Sequence, residues 1–166
     1  MKAYPDTSFL CALYRLQDNS SEAAAYFAAM PEPLEVTTLL LYEFRQAVRF
    51  QIRLHRADPS KGYSRAQGTK MLADLKADLI SGELVTIPAP WPLIHLAAER
   101  LSELYTDASG HRSMDILHVA TAIELGSKEF LTFDGNQKKL AEAEGLVVPL
   151  SSLPPQLELR RSKSPR

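Results

Sequence analysis

Short β-rich runs alternate with amphipathic helical stretches along this chain, and that alternation limits its folds more than any other feature. Residues 2–5, "LEVTT" at 34–38, "ELVTI" at 83–87, "EFLTF" at 129–133 and "LVVPL" at 146–150 read as strands. Helical periodicity separates them. Ser8 is expected to begin a first helix running to about Tyr14. "DNSSEAAAYFAAM" gives a second, with Asn19 as cap and Glu22 as its box partner. "LLLYEFRQAVRFQIRLHRA" makes a long helix opened by Thr37 or Thr38, and "DPSKGY" breaks it. Ser64 caps "RAQGTKMLADLKADLISG", where Met71, Leu72, Leu75 and Leu79 recur at helical spacing and mark the core face. "PLIHLAAERLSELY", "RSMDILHVATAIELG" and "DGNQKKLAEAEG" supply three more helices, "TDASGH" reads as a loop, and Gly126 is a natural helix stop. Strands separated by helices predict an α/β fold with a mostly parallel sheet. Ligand sites in such sheets gather beyond the carboxyl ends of the strands.

At 166 residues, 45% hydrophobic and 23% charged, the chain suits one domain with a substantial core, expected over residues 1–150. Residues 151–166, with Arg160, Arg161, Lys163 and Arg166, lack periodicity and are expected to form a flexible basic tail. Apolar runs are far too short for a bilayer span, and the N-terminus has no cleavage signature, so a cytoplasmic protein with no membrane partner is expected. The single cysteine, Cys11 in "FLCALY", permits no internal disulfide and reads as a buried small hydrophobe. Net charge is -1, yet it is unevenly distributed. Arg45, Arg49, Arg53, Arg56, Lys61, Arg65, Lys70 and Lys76 face only Asp58 and Asp74 over residues 45–76, whereas residues 1–44 are acidic. Such a chain can set an acidic centre inside a basic rim, which a metal nuclease needs to meet a polyanion; an ordinary solvated helix face gives the same pattern.

The acids fall at informative places. Asp6 ends the first strand and Asp134 ends "EFLTF", so parallel pairing of those strands would bring both carboxylates to one edge. Glu43 interrupts the apolar opening "LLLYEF". Asp115 borders the stripe formed by Ile116, Val119, Ala120 and Ile123, where a carboxylate needs a partner. Each acid alone reads more readily as a helix-start stabiliser. Should the four meet, a cation or raised pKa values must relieve their repulsion. One cysteine and four histidines without ligand spacing do not support a tetrahedral zinc site. An all-oxygen site suits Mg²⁺ or Mn²⁺, which can activate water and stabilise a leaving oxygen. Thr7, Ser8, Thr132 and Asn136 are placed to hydrogen-bond such ligands or a phosphate. A phosphotransfer receiver is disfavoured, because no second aspartate follows Asp6 and no supporting lysine follows a strand.

With "YPDTSFL", "LLLYEFRQA", "RSMDILHVATAIELG" and "EFLTFDGNQKKLA" in this order, the chain resembles PIN-domain ribonucleases, most closely the VapC-type toxins of toxin–antitoxin pairs, over roughly residues 1–150. The resemblance implies a compact three-layer α/β/α fold, hydrolysis of RNA dependent on Mg²⁺ or Mn²⁺, a homodimer, and a cognate antitoxin. It also implies that Asp6, Glu43 and Asp115 are metal ligands and catalytic residues, with Asp134 as the fourth acid. Thr7, Thr132 and Asn136 follow as supporting residues, and Arg45 and Arg49 as contacts to substrate or partner. His118 is expected to be a packed, hydrogen-bonded histidine instead of a base. RNA processing outside a toxin system, or a binding module without chemistry, are the competing expectations. The stretch 55–69 looks longer than a minimal member requires.

Overall fold

The computed structural model describes residues 2–150; the expected basic tail lies outside the described residues. Four short strands are β1 (Ala3–Pro5), β2 (Leu34–Val36), β3 (Leu84–Thr86) and β4 (Glu129–Leu131). Seven helices connect and flank them: α1 (Thr7–Tyr14), α2 (Ser20–Ala28), α3 (Thr38–Ala57), α4 (Arg65–Ser81), α5 (Trp91–Ser109), α6 (Ser113–Glu124) and α7 (Gly135–Ala143). β1 pairs in parallel with β4, Tyr4 opposite Phe130, and β2 pairs in parallel with β3, Glu35 opposite Val85. β1 packs beside β2, and the Tyr4 hydroxyl meets Thr37 Oγ1 at 2.9 Å across that seam. The result is the expected α/β domain with a central parallel sheet. Helices α1–α4 pack among themselves on one flank, and α5–α7 form the other group.

The apolar residues of the strands explain this arrangement. Tyr4, Leu34, Val36, Leu84, Phe130 and Leu131 are all buried, so both sheet faces need helical cover. Phe9, Leu10, Leu40, Phe44, Leu101 and Val119 provide it.

Five local expectations are corrected. Helix α1 starts at Thr7, one residue earlier than expected, because Asp6 is its N-cap and accepts from the Phe9 N–H. Asn19 occupies the cap position of α2 without a side-chain cap bond; its Oδ1 accepts from Gln17 Nε2 instead, so the predicted box is not formed at Asn19. The expected loop at 106–111 is helical as far as Ser109, where Gly110 takes the left-handed conformation (φ 67°) that ends α5. The last predicted strand shrinks to a single parallel bridge between Glu129 and Val147. Pro149 has no N–H to extend it. The strands are also shorter than the predicted runs, β2, β3 and β4 ending at Val36, Thr86 and Leu131, while Ser64 caps α4 as expected and forms a capping box with Gln67.

Candidate functional site

Asp6 leaves β1 with its backbone still in register, donating from N–H to the Leu131 carbonyl at 3.0 Å. Its carboxylate is fully buried and accepts from the Phe9 N–H (3.0 Å), Ser8 Oγ (2.6 Å) and Thr132 Oγ1 (2.7 Å). Burial raises its pKa above the ordinary carboxylate value even against those three donors. Two hydroxyls then stitch the strand ends together. Thr132 Oγ1 also accepts from the Asp134 N–H at 2.9 Å, and Ser8 Oγ from the Phe133 N–H at 2.8 Å. The parallel β1–β4 register thus delivers Asp6 and Asp134 to one carboxyl edge, as their positions in sequence predicted.

Glu43, one turn into α3, is half-buried and reaches across to α1 and α6. It accepts from Thr7 Oγ1 and meets His118 Nε2 at 2.5 Å. Burial alone would raise its pKa, but the His118 hydrogen bond and charge, with Thr7 and Arg112 adding, bring it below the usual value. His118 is the packed, hydrogen-bonded histidine expected, and it lies buried beneath the site.

Asp115 is buried near the start of α6 and finds its partner in Arg112, with Nε 3.1 Å from Oδ2 and Nη2 3.4 Å from Oδ1. The same guanidinium reaches Asp134 Oδ2 at 3.8 Å. Arg112 thereby ties Asp115 to Asp134, and its side chain remains 76% exposed. The sequence reading did not single it out. Its place three residues before Asp115, one helical turn away, was the available signal.

The helix-start reading holds for three of the acids: Asp6 caps α1, Asp134 caps α7 by accepting from the Asn136 and Gln137 N–H groups, and Asp115 accepts from the Arg112 N–H. Shared partners also link them, Thr132 joining Asp6 to Asp134 and Arg112 joining Asp134 to Asp115, while Glu43 meets Thr7 and His118. Of the supporting residues, Thr7, Ser8 and Thr132 touch the acids with their side chains, whereas Asn136 does so through its backbone. Arg45 and Arg49 form no ion pair with them among the described residues. Cys11 packs beside the core, and burial pushes its thiol pKa up to about 12.

Among the described residues, no group of three or more His, Cys, Asp or Glu is arranged to hold a metal ion. In kind, the donors still fit one: they are all carboxylate oxygens, suited to a hard divalent ion. Asp6 accepts only from neutral donors, so its buried charge has no hydrogen-bonded cation. In position, Glu43 is engaged by His118 and Asp115 by Arg112, so a bound ion would have to exchange for these contacts.

An α/β domain with carboxylates gathered beyond the ends of its parallel strands defines a class with a site at that edge. The PIN domain model matches residues 3–143, and the chain belongs to the PIN domain family. Among solved structures, it is similar in fold to Mycobacterium tuberculosis VapC20, a sarcin-ricin loop cleaving toxin. The identity is 20%, 88% of this chain and 97% of that chain are covered, and the TM-score is 0.61. No curated protein matches the chain. No helix among the described residues is long and apolar enough to cross a membrane.

Proposed function

We propose that this protein is a metal-dependent endoribonuclease, hydrolysing RNA phosphodiester bonds as the toxin of a toxin–antitoxin pair. The observation that carries the reading is that Asp6, Glu43, Asp115 and Asp134, from four separate segments of a PIN domain, are linked through Thr132, Arg112 and the Thr7 and His118 contacts of Glu43. The likeness to VapC20, a cleaving toxin, supports it. A cognate antitoxin and a homodimer belong to the same proposal.

Asp6, Glu43, Asp115 and Asp134 would hold Mg²⁺ or Mn²⁺. Such an ion, when bound, lowers the pKa of a coordinated water and neutralises charge on the leaving oxygen. The protein's own residues prepare the site. Thr7 and His118 orient Glu43, and because its pKa is held low, Glu43 remains an anionic acceptor at neutral pH. Ser8, Thr132 and the Phe9 N–H fix Asp6. Arg112, held at the rim by Asp115, can turn its exposed guanidinium toward a phosphate and match it with parallel hydrogen bonds.

A second reading, a binding module without chemistry, draws on the pairing of Glu43 with His118 and Asp115 with Arg112 in place of a ready metal group. One assay separates the two. Purified protein should cleave total RNA with Mn²⁺ and not with EDTA, and Asp6→Asn or Asp115→Asn should lower the rate at least about 100-fold while circular dichroism is unchanged. Undiminished cleavage by either variant rules the mechanism out, and no cleavage by the wild-type protein favours the binding module. Growth arrest on expression, relieved by the same variants, would distinguish a toxin from a processing nuclease.

A further inference from the structure

The arginines among the described residues divide into paired and unpaired sets. Arg100 is held by Glu144, Arg112 by Asp115, and Arg15 lies over the Tyr63 ring. Arg45, Arg49, Arg53 and Arg56 on α3, with Arg65 at the start of α4, form no ion pair among the described residues. Formal net charge is -1, so this concentration of unpaired cations does not follow from an overall excess of base.

Their placement is regular. At about 100° per residue, Tyr42, Arg45, Arg49, Arg53 and Arg56 stay on one stripe of α3, which extends for about 20 Å. Glu43 lies about 100° round the helix from Tyr42, on the flank that meets Thr7 and His118. The stripe itself begins at Tyr42 and ends where α4 crosses. There, Arg49, Arg53, Arg56 and Arg65 line a groove of about 740 Å³, with Ile52 and Thr69 in its walls. The groove has no carboxylate in its lining, so its cations raise the local potential unopposed. One large aromatic side chain shares the stripe with the arginines: Tyr42, 63% exposed.

We propose that this face of α3, with the α3–α4 groove, is a binding track for single-stranded RNA distal to the acidic site. The groove takes the phosphates, and Tyr42 stacks a base at the other end of the stripe. Planar guanidinium groups match phosphate oxygens in pairs, and an exposed aromatic ring in line with cations accepts a base of any kind. A groove lined by arginines with no carboxylate, continued by a ring that can stack, is the combination a single-stranded polyanion of flat bases uses. The inference rests on the ribonuclease reading for its substrate and extends it to a second, distal part of the molecule.

The test measures binding without cleavage. Fluorescence anisotropy of a labelled single-stranded RNA 20-mer is recorded in EDTA across a salt series, with the full-length protein. Arg53→Glu/Arg56→Glu should weaken binding at least tenfold. It should also flatten the slope of log affinity against log salt by about 1.4, two contacts at roughly 0.7 each. A control pair with the same charge change on another face, Lys128→Glu/Lys139→Glu, should weaken it less than threefold. Tyr42→Ala should weaken it at least fivefold. Equal losses for the two double variants, or an Arg53→Glu/Arg56→Glu affinity within twofold of wild type, would overturn the track. So would tighter binding of a poly-glutamate 20-mer than of RNA at equal salt, which would assign the face to a protein partner. Because no metal is present, RNA binding along this face without Mn²⁺-dependent cleavage would count against the proposed reaction alone. Cleavage with unaltered binding by the arginine variant would count against the track alone.

Discussion

The Asp6 carboxylate is fully buried, accepts three hydrogen bonds from neutral groups, and has its pKa raised chiefly by that burial. A raised folded-state pKa means that ionisation opposes folding. Asp6 favours the fold below its unfolded value of 3.8, and that contribution is lost as pH rises through the folded pKa. At neutral pH without metal, a neutral isostere should therefore stabilise the protein. Asp6→Asn can retain the Phe9 cap while removing the charge, and is expected to raise Tm by about 2–4 °C, near 1 kcal/mol for a chain of this size. Differential scanning fluorimetry in EDTA reads this directly; a lower Tm would mean that the charge is already compensated. The position of Asp6 was legible in "YPDTSFL", because a polar run that follows an apolar lead marks a strand end. Its hydrogen-bond partners were not. Whether a carboxylate there caps a helix or joins a site depends on Thr132, 126 residues away, which local sequence does not reveal.

Helix periodicity carried the element-level reading, since buried faces repeat at fixed spacing whatever the partner. Helix ends were less legible because they depend on single bonds. Asn19 could cap or bond Gln17, and the structure takes the second. Contacts between elements were hidden altogether, as the α3–α4 crossing illustrates. Gly68 lies in the first turn of α4. It is buried, and a Cβ there would lie 2.4 Å from Ile52 Cδ1 and 2.7 Å from Ile52 Cγ1. Alanine would gain about 1 kcal/mol in helix propensity. That gain is offset by the overlap, because Cγ1 is not the free end of the Ile52 side chain. Gly68→Ala is thus expected to lower Tm, although the same change at an exposed helical glycine would raise it. Ile52→Ala in the same chain should remove the overlap, so the double variant should be more stable than the sum of the singles by about 0.5–3 kcal/mol. Chemical denaturation of the four proteins measures that coupling, and strict additivity would show that α3 and α4 do not press together there.

At the scale of the whole molecule, the acid patch makes stability depend on pH in two opposing ways. Glu43 has a folded pKa below its ordinary 4.5, so its contribution is present above 4.5 and is lost as pH falls through the folded value. Protonation there weakens the contacts to His118 and Thr7 that join α3 to α6 and α1. Asp6 acts with the opposite sign, its contribution growing as pH falls from its raised folded pKa toward 3.8. Glu144, hydrogen-bonded by Arg100 and Tyr105 where α5 meets the end of α7, also has a lowered pKa and adds to the acid loss. Two substitutions therefore separate the patch from the rest of the molecule. Glu43→Gln should lower Tm at pH 7 and shrink the further fall between pH 5 and pH 3 by about 2–4 °C. Asp6→Asn should steepen that fall, because it removes the one acid whose protonation helps. Thermal melts at half-unit intervals of pH, in EDTA, supply both comparisons. If Glu43→Gln left the acid limb parallel to wild type, acid unfolding would arise outside the patch, and the link from Glu43 through His118 would not be what holds α3 to α6.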